Sequence, residues 1–287
     1  MKDSIIKKPK SKTWIDEIFK VNVYELVLGA IFLSMHIVII YFAKFTILRV
    51  IPVQLEYLMF IFYGLIFGPF KGAILSLLGD TLVLLLTGSI GTWFWLYAIV
   101  PPLISVVSYF YFLMFKKTKI IRFVFAYTLT IISFVLAIII YLKYADPNGD
   151  FKLSKKVIAP RNIIVILIMV YAFLSLILTT FFTILYFIYK NEKWNYYILV
   201  TSLILFISIV FRWILGPVSY IEFYNYFFAP KSGKLKHYGI DYIVLFVKIV
   251  IKDLFIIPIY ITVFSPVFIV TNILKEKFIN NVRKIKY

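Results

Sequence analysis

The sequence predicts an all-α integral membrane protein with about eight transmembrane helices, and three observations support this fold class. Of the 287 residues, 63% are apolar and 15% are charged, with a mean hydropathy of +0.97, whereas soluble domains are about half apolar and about a quarter charged. The apolar residues form segments near the roughly 20 residues that cross a bilayer as a helix. The alternation of apolar and polar residues typical of a membrane β-barrel is absent from the sequence.

Eight apolar segments are the candidate helices. The second and third are short and meet at Gly68-Pro69, which predicts a tight helical pair, because proline is well tolerated in the first turn of a helix. The last segment contains Pro258 and Pro266, so it either begins above the membrane or is kinked within it. In chain order the segments are Val21–Phe42, Pro52–Pro69, Phe70–Gly88, Thr92–Phe115, Ile121–Leu142, Ile163–Tyr189, Asn195–Leu215 and Ile240–Leu274.

These segments divide the chain into a basic N-terminal stretch (1–20), a membrane domain (21–274) and a basic tail (275–287). A full-length span follows residues 1–20 directly, so we expect this span to be retained and not cleaved as a signal peptide. The chain contains no cysteine, which excludes disulfides, thiolate catalysis and cysteine metal sites. We expect no cofactor, no metal and no enzymatic activity.

The net charge of +18 is interpreted as a signal of membrane orientation. If the N-terminus is cytoplasmic, 18 of the 31 basic residues lie in inner segments and 10 lie in outer ones. Short cytoplasmic loops carry the excess of Lys and Arg, so we expect a plasma-membrane protein with both termini in the cytoplasm. The bilayer is then the expected partner of the basic residues, and nucleic acid is not.

A few ionisable residues interrupt the apolar segments, where a charge is costly and often functional. Glu56 lies near a helix start, where the helix dipole favours a carboxylate. Asp80 and Arg212 either pair with each other or face a cavity. Lys248 and Lys252 share one helix face, so they either line a wet cavity or contact an anion, or they belong to the exposed start of the last helix. The full set is His36, Glu56, Asp80, Arg212, Lys248, Lys252 and Asp253.

The most specific motif combines a glycine-proline turn with small residues at helical spacing and an acid. It reads Gly68-Pro69-x-x-Gly72-x-x-x-Ser76-x-x-x-Asp80, and small residues four apart allow membrane helices to approach closely. This run resembles the signature of the substrate-binding S components of energy-coupling factor (ECF) vitamin transporters. The folate family is the most similar, with a pattern close to G-P-x-x-G-x-x-x-G-x-x-x-D, from which Ser76 is the one departure.

Two further segments strengthen the resemblance to S components. Gly29, Ala30 and Ser34 resemble the small-residue stripe with which such proteins dock onto their transmembrane coupling protein. Lys252, six residues before Pro258-Ile259, resembles the final helix of the family, although Ile249 stands where an arginine is expected. The resemblance covers residues 21–115 and 195–274. The family usually has six spans, so residues 116–190 are interpreted as a two-helix insertion.

The resemblance implies a membrane subunit that binds a folate-like vitamin from outside. It implies as partners a coupling protein and two cytoplasmic ATPases, and the chain itself has no G-x-x-x-x-G-K-[ST] nucleotide motif. A pocket for such a ligand needs aromatic walls and a few polar groups. The candidate ligand-binding residues near the outer side are Arg49, Trp93, Trp95, Arg212, Trp213, Asn225, Lys248 and Lys252.

Several alternatives to this interpretation are open. The tryptophans also suit an interfacial aromatic belt, which would make them membrane anchors. The ligand could be another vitamin, such as riboflavin, pantothenate or thiamine. A multi-span enzyme acting on lipids and a purely structural membrane protein are the alternatives from other functional classes.

Overall fold

The structure, a computed structural model, describes residues 23–45, 55–117, 119–145, 151–154 and 157–284. Over these residues the chain is built almost entirely of helices, because its long apolar segments satisfy their backbone hydrogen bonds internally only as helices. The main helices are α1 (Val23–Phe45), α2 (Glu56–Phe67), α3 (Pro69–Leu86), α4 (Val100–Lys117), α5 (Lys119–Tyr144), α6 (Arg161–Tyr189), α7 (Glu192–Ile207), α8 (Leu215–Phe227) and α9 (Ile240–Lys284).

Shorter elements connect these helices. A 3₁₀ turn (Ile90–Thr92) and a helical turn (Trp95–Ala98) precede α4, a π-helical segment (Ser208–Ile214) joins α7 to α8, and a helical turn (Ala229–Ser232) follows α8. An antiparallel hairpin links α5 to α6, formed by strands β1 (Phe151–Ser154) and β2 (Val157–Ala159) with Phe151 opposite Ala159.

The chain is a multi-span, all-α membrane protein. Among the described residues, seven helical stretches are long and apolar enough to cross a bilayer. The second segment, in which the sequence predicts a span over Pro52–Pro69, is described as α2, which has 12 residues and is about 18 Å long. Its preceding residues, 46–54, lie outside the described part. The described helix is shorter than a bilayer, and it is buried within the bundle from Leu58 to Phe67.

One other span boundary differs from the prediction, whereas the apolar stretch of the last helix, Ile240–Ile273, agrees with it. The segment predicted to end at Leu215 continues through the π-helical segment to Phe227, so that Glu192–Phe227 forms one stretch of 36 residues. The last helix runs from Ile240 to Lys284 and contains both Pro258 and Pro266.

Helices α2, α3 and α4 form the tightest contact in the bundle. Gly68 turns the chain between α2 and α3 with φ of 90° and ψ of −177°, a conformation open essentially to glycine alone. A Cβ atom on Gly64 would lie 2.1 Å from the carbonyl oxygen of Ser105, and one on Gly72 would lie 2.6 Å from that of Tyr63. The predicted tight helical pair therefore exists, and glycines let its backbones touch those of their neighbours.

Hydrogen bonds reinforce this three-helix contact. The hydroxyl of Ser105 on α4 donates to the carbonyl of Phe60 at 2.7 Å and also bonds to the hydroxyl of Ser76 on α3. Ser76 is fully buried, so this small polar residue of the motif has a packing and hydrogen-bonding role within the fold.

Helix α1 lies at the edge of the bundle and is attached through one face. The carboxylate of Glu25 lies 2.7 Å from Nζ of Lys71, Gly29 packs against Leu75, and Nδ1 of His36 lies 3.1 Å from the hydroxyl of Tyr63. Ala30 and Ser34 are on the exposed side. His36 is therefore a packing residue that ties α1 to α2.

Helix α7 and the π-helical segment occupy the centre, and the predicted insertion covers them on one side. Within the 36-residue stretch Glu192–Phe227, 78% of the most apolar window is buried, compared with 28% in each of α5 and α6. Phe134 of α5 and Tyr171 of α6 nevertheless contact the indole of Trp213, with ring centroids 6.0 and 6.1 Å away. Helices α5 and α6 of the predicted insertion thus contribute to the core.

Candidate functional site

An open aromatic cavity lies at one end of the bundle, where α3 and α8 end and α4 begins. Its volume is about 620 Å³, within the range of small-molecule sites, roughly 300–1,000 Å³. Three of the predicted ligand-binding residues, Trp93, Trp95 and Asn225, line it together. We call this cavity the aromatic pocket, and its lining residues are Trp93, Phe94, Trp95, Glu222, Asn225 and Tyr226.

A helix cap positions the two tryptophans. Helix α3 ends with Gly88 in the left-handed conformation at φ of 68°. The N–H of Ser89 donates to Leu84 O at 2.8 Å, and that of Gly88 donates to Leu85 O at 3.2 Å, which is the Schellman arrangement. The chain then makes the 3₁₀ turn and an extended residue, Phe94, before the next helical turn begins at Trp95.

Phe94 fastens this segment to α8. Its ring centroid lies 6.0 Å from that of Phe223, 5.8 Å from that of Tyr226 and 6.2 Å from that of Phe227. Aromatic pairs at such separations contribute about 0.5–1.5 kcal/mol each beyond the area they bury. The two flanking indoles remain open to the pocket, with Trp93 44% exposed and Trp95 60% exposed.

Asn225 holds the connection from α8 to α9 against the pocket. Its side-chain Nδ2 donates to the carbonyl of Lys236 at 2.9 Å, and its Oδ1 accepts from the N–H of Lys236 at 2.8 Å. Both polar groups of Asn225 are therefore used within the protein. Asn225 therefore contributes to the shape of the pocket wall.

Glu222 places a carboxylate in the aromatic pocket. The hydroxyl of Tyr238 donates to Oε1 of Glu222. Burial, together with this bond and the charge of Glu222, raises the pKa of Tyr238 to about 12. Tyr238 consequently remains a hydrogen-bond donor at neutral pH and orients the carboxylate.

A second cluster, which we call the buried ion pair, joins Arg212 to Asp253 in the interior. Nη2 of Arg212 lies 3.0 Å from Oδ1 of Asp253, and the Arg212 guanidinium carbon lies 5.8 Å from the ring centroid of Tyr57. The indole Nε1 of Trp213 donates to Oδ2 of Asp253 at 2.8 Å. Arg212 is 5% exposed, and both Trp213 and Asp253 are fully buried.

Arg212 and Trp213 are consecutive residues of the π-helical segment, and both contact the carboxylate of Asp253. Such segments are often found at functional sites. Ten residues separate Arg212 from Glu222 on a continuous helical stretch, so the buried ion pair lies about 15 Å deeper than the aromatic pocket.

The interpretation of Trp213 as an anchor at an outer helix end is wrong. The helix does not end near Leu215 but continues to Phe227, so Trp213 lies in the core. The sequence left open a pairing of Arg212 with Asp80, but the ion-pair partner of Arg212 in the structure is Asp253. Asp80 lies half-buried on α3.

The remaining predicted site residues lie elsewhere. Lys248 and Lys252 are exposed on α9 and do not line the aromatic pocket, while Arg49 lies outside the described residues. Of the predicted docking residues, Ala30 and Ser34 are exposed, whereas Gly29 is buried against Leu75 and Phe67. The motif residues Gly68, Pro69, Gly72 and Ser76 form the α2–α3 turn and its packing contacts.

Sequence reasoning missed Glu222, Phe94 and Tyr226 in the aromatic pocket. The signal for Glu222 and Tyr226 is the aromatic run from Tyr220 to Phe228, in which Glu222 is the acidic residue. Phe94 lies between the two predicted tryptophans.

Comparison of the chain with protein-family models, with curated proteins and with solved structures finds no match in any of the three. The function is therefore inferred from the residues and geometry of the chain itself.

Proposed function

We propose that the chain is the substrate-binding membrane subunit of an ECF-type vitamin importer, which captures a ring-bearing small molecule in the aromatic pocket. The observation that carries the proposal is the meeting of Trp93, Trp95 and Asn225 in one cavity of suitable size. Exposed indoles offer flat apolar surfaces on which a ring stacks. The subunit binds its ligand without converting it.

Two features away from the pocket support this proposal. The motif from Gly68 to Asp80, which carries the resemblance to S components, forms a compact helical turn in the structure. Ala30 and Ser34 form a small-residue stretch on the exposed side of α1, suited to close contact with another membrane helix. In the proposed assembly this side contacts the coupling protein, and two separate ATPases supply the energy.

The proposed topology follows from the lysine distribution. With both termini in the cytoplasm, the ends of α3 and α8 face outward, and the aromatic pocket opens to the outside of the plasma membrane. The turn at Gly68 and the α6–α7 connection at Lys190 then face the cytoplasm, where the excess of basic residues is expected.

A ligand panel tests the capture function. The protein purified in detergent is titrated with folate, riboflavin, pantothenate and thiamine while tryptophan emission is recorded. We expect one of them to quench the emission saturably, and Trp93→Ala or Trp95→Ala to weaken its binding roughly threefold to tenfold. Trp194→Phe, at the opposite end of the bundle, is the control and should bind as the wild type does.

Absence of saturable binding across the panel would refute the capture function. If Trp194→Phe weakened ligand binding equally, the binding site would not be the aromatic pocket.

The proposed docking surface is tested separately by association with an ECF coupling protein and its ATPases. Ala30→Trp and Ser34→Trp should reduce co-purification, because a bulky side chain prevents close helix contact. The control is Ile166→Trp on the exposed face of α6. Unchanged co-purification of both α1 variants would remove the docking prediction.

A further inference from the structure

Among the described residues that line it, the aromatic pocket has one negative formal charge and no positive one. Glu222 is the charged member of the lining, and the remaining residues are four aromatic side chains and Asn225. Aromatic faces present negative electrostatic potential to a ligand. The carboxylate and the rings therefore favour the same sign of ligand charge.

The carboxylate is held in place but its charge is not neutralised by the contacts seen. Tyr238, a neutral donor, bonds to Oε1. Among the described residues, Glu222 forms no ion pair, and Oε2 stays available to a ligand. A hydrogen bond from a phenol orients a carboxylate without cancelling its field.

The basic residues of the α8–α9 connection contact other groups or solvent and are not part of the pocket lining. Nζ of Lys236 lies 3.4 Å from Oδ1 of Asp241 and 4.9 Å from the ring centroid of Tyr224. Lys231 and Lys234 are exposed and are not part of the lining. Glu222 is therefore the one formal charge among the described residues that line the pocket.

We infer that the aromatic pocket selects a cationic, ring-bearing ligand, with its positive charge beside Glu222 and its ring against Trp93 and Trp95. The inference rests on the proposed function and narrows its ligand class, because an anionic ligand such as folate would be repelled by Glu222. The attraction of a cation to an aromatic face adds to its attraction to the carboxylate.

The test is a charge series on one ring: 1-methylnicotinamide (cation), nicotinamide (neutral) and nicotinate (anion), with thiamine and folate as larger members. Each is titrated into the purified full chain at neutral pH and moderate salt while tryptophan emission is followed. We expect 1-methylnicotinamide to bind about tenfold more tightly than nicotinate, and thiamine to bind more tightly than folate.

The variant Glu222→Gln preserves the shape of the side chain and removes its charge. We expect it to weaken binding of 1-methylnicotinamide about tenfold, to leave nicotinamide unchanged and to abolish the preference over nicotinate. Glu192→Gln, at the other end of the bundle where Glu192 pairs with Arg122, is the matched control. If Glu222→Gln still binds nicotinamide, the pocket of the variant is intact. If it no longer binds nicotinamide, the comparison of the three charged and neutral ligands on the wild type tests the charge preference.

The outcomes separate the inference from the proposed function. Preferred binding of folate or nicotinate, or unchanged binding of the cation by Glu222→Gln, would overturn the charge preference and leave the capture function standing. Failure of every compound, thiamine and folate included, would overturn both.

Discussion

The aromatic pocket and the buried ion pair use similar residues with opposite solvation. Each combines indole and carboxylate groups, and the two lie about 15 Å apart along one helical stretch. In the pocket the indoles of Trp93 and Trp95 are 44% and 60% exposed. In the buried ion pair, Trp213 and Asp253 are fully buried and bonded to each other.

The difference between the two clusters lies in where the balancing charge comes from. Asp253 has Arg212 at 3.0 Å, so the protein itself supplies both charges of this cluster. Glu222 has a neutral phenol as its partner, which leaves its charge available to the cationic ligand that we propose. A carboxylate beside an indole therefore indicates a ligand-binding site only where no basic residue of the protein already pairs with that carboxylate.

The largest expected effect comes from removing one charge of the buried ion pair. Asp253→Leu leaves the Arg212 guanidinium buried without a counter-charge, and breaking a buried pair in this way costs about 3–5 kcal/mol. We expect loss of monodisperse protein in detergent, or a large fall in the melting temperature followed by tryptophan emission. Glu222→Leu makes the same chemical change in the open pocket and should leave the melting temperature nearly unchanged, because surface substitutions stay within about 0.5 kcal/mol.

A double variant sharpens this contrast. Arg212→Met combined with Asp253→Leu removes both charges together, and apolar replacement of a buried pair is often neutral or stabilising. We expect it to melt at a higher temperature than Asp253→Leu alone. An Asp253→Leu protein as stable as the wild type would show that the pair has no role in the fold.

The helical, multi-span character of the fold was predictable because it depends on local composition. Apolar segments of sufficient length form helices in a bilayer, and Gly68-Pro69 marks the α2–α3 turn in the sequence itself. The length of the seventh span was not predictable in this way. Gly216 and Pro217 resemble a helix end, yet the helix continues through them to Phe227.

The candidate site was predictable only in part, because partners depend on tertiary contacts. Trp93, Trp95 and Asn225 stood out as polar or aromatic residues near a predicted outer end, and they do meet. Arg212 and Asp253 are 41 residues apart in the sequence. No local pattern indicates that Asp253, and not Asp80, is the partner of Arg212. The same limit applies to the contact of Phe94 with α8.

An intermediate effect is expected at Asn225, which closes the loop beside the aromatic pocket. Asn225→Ala removes the two hydrogen bonds to Lys236, each of which contributes about 0.5–1.5 kcal/mol. We expect faster hydrogen exchange at the Lys236 amide and weaker ligand binding, with little change in the melting temperature. Asn162→Ala, an exposed residue at the start of α6, is the control, and unchanged exchange at Lys236 would contradict the proposed clamp.

The smallest expected effect is the pH dependence of the bond between Tyr238 and Glu222. Because the pKa of Tyr238 is raised from 10.0 to about 12 in the fold, the folded state binds this proton more tightly than the unfolded chain does. The resulting stability is fully present below pH 10 and is lost as the pH rises through about 12. We therefore expect Tyr238→Phe to melt slightly below the wild type at pH 8, and the difference to vanish towards pH 12. Tyr226→Phe, which replaces another exposed tyrosine, controls for general effects of alkali. If the difference in melting temperature between Tyr238→Phe and the wild type stayed constant over this pH range, the tyrosine would act through packing. Glu222 would then lack the neutral donor that distinguishes it from Asp253.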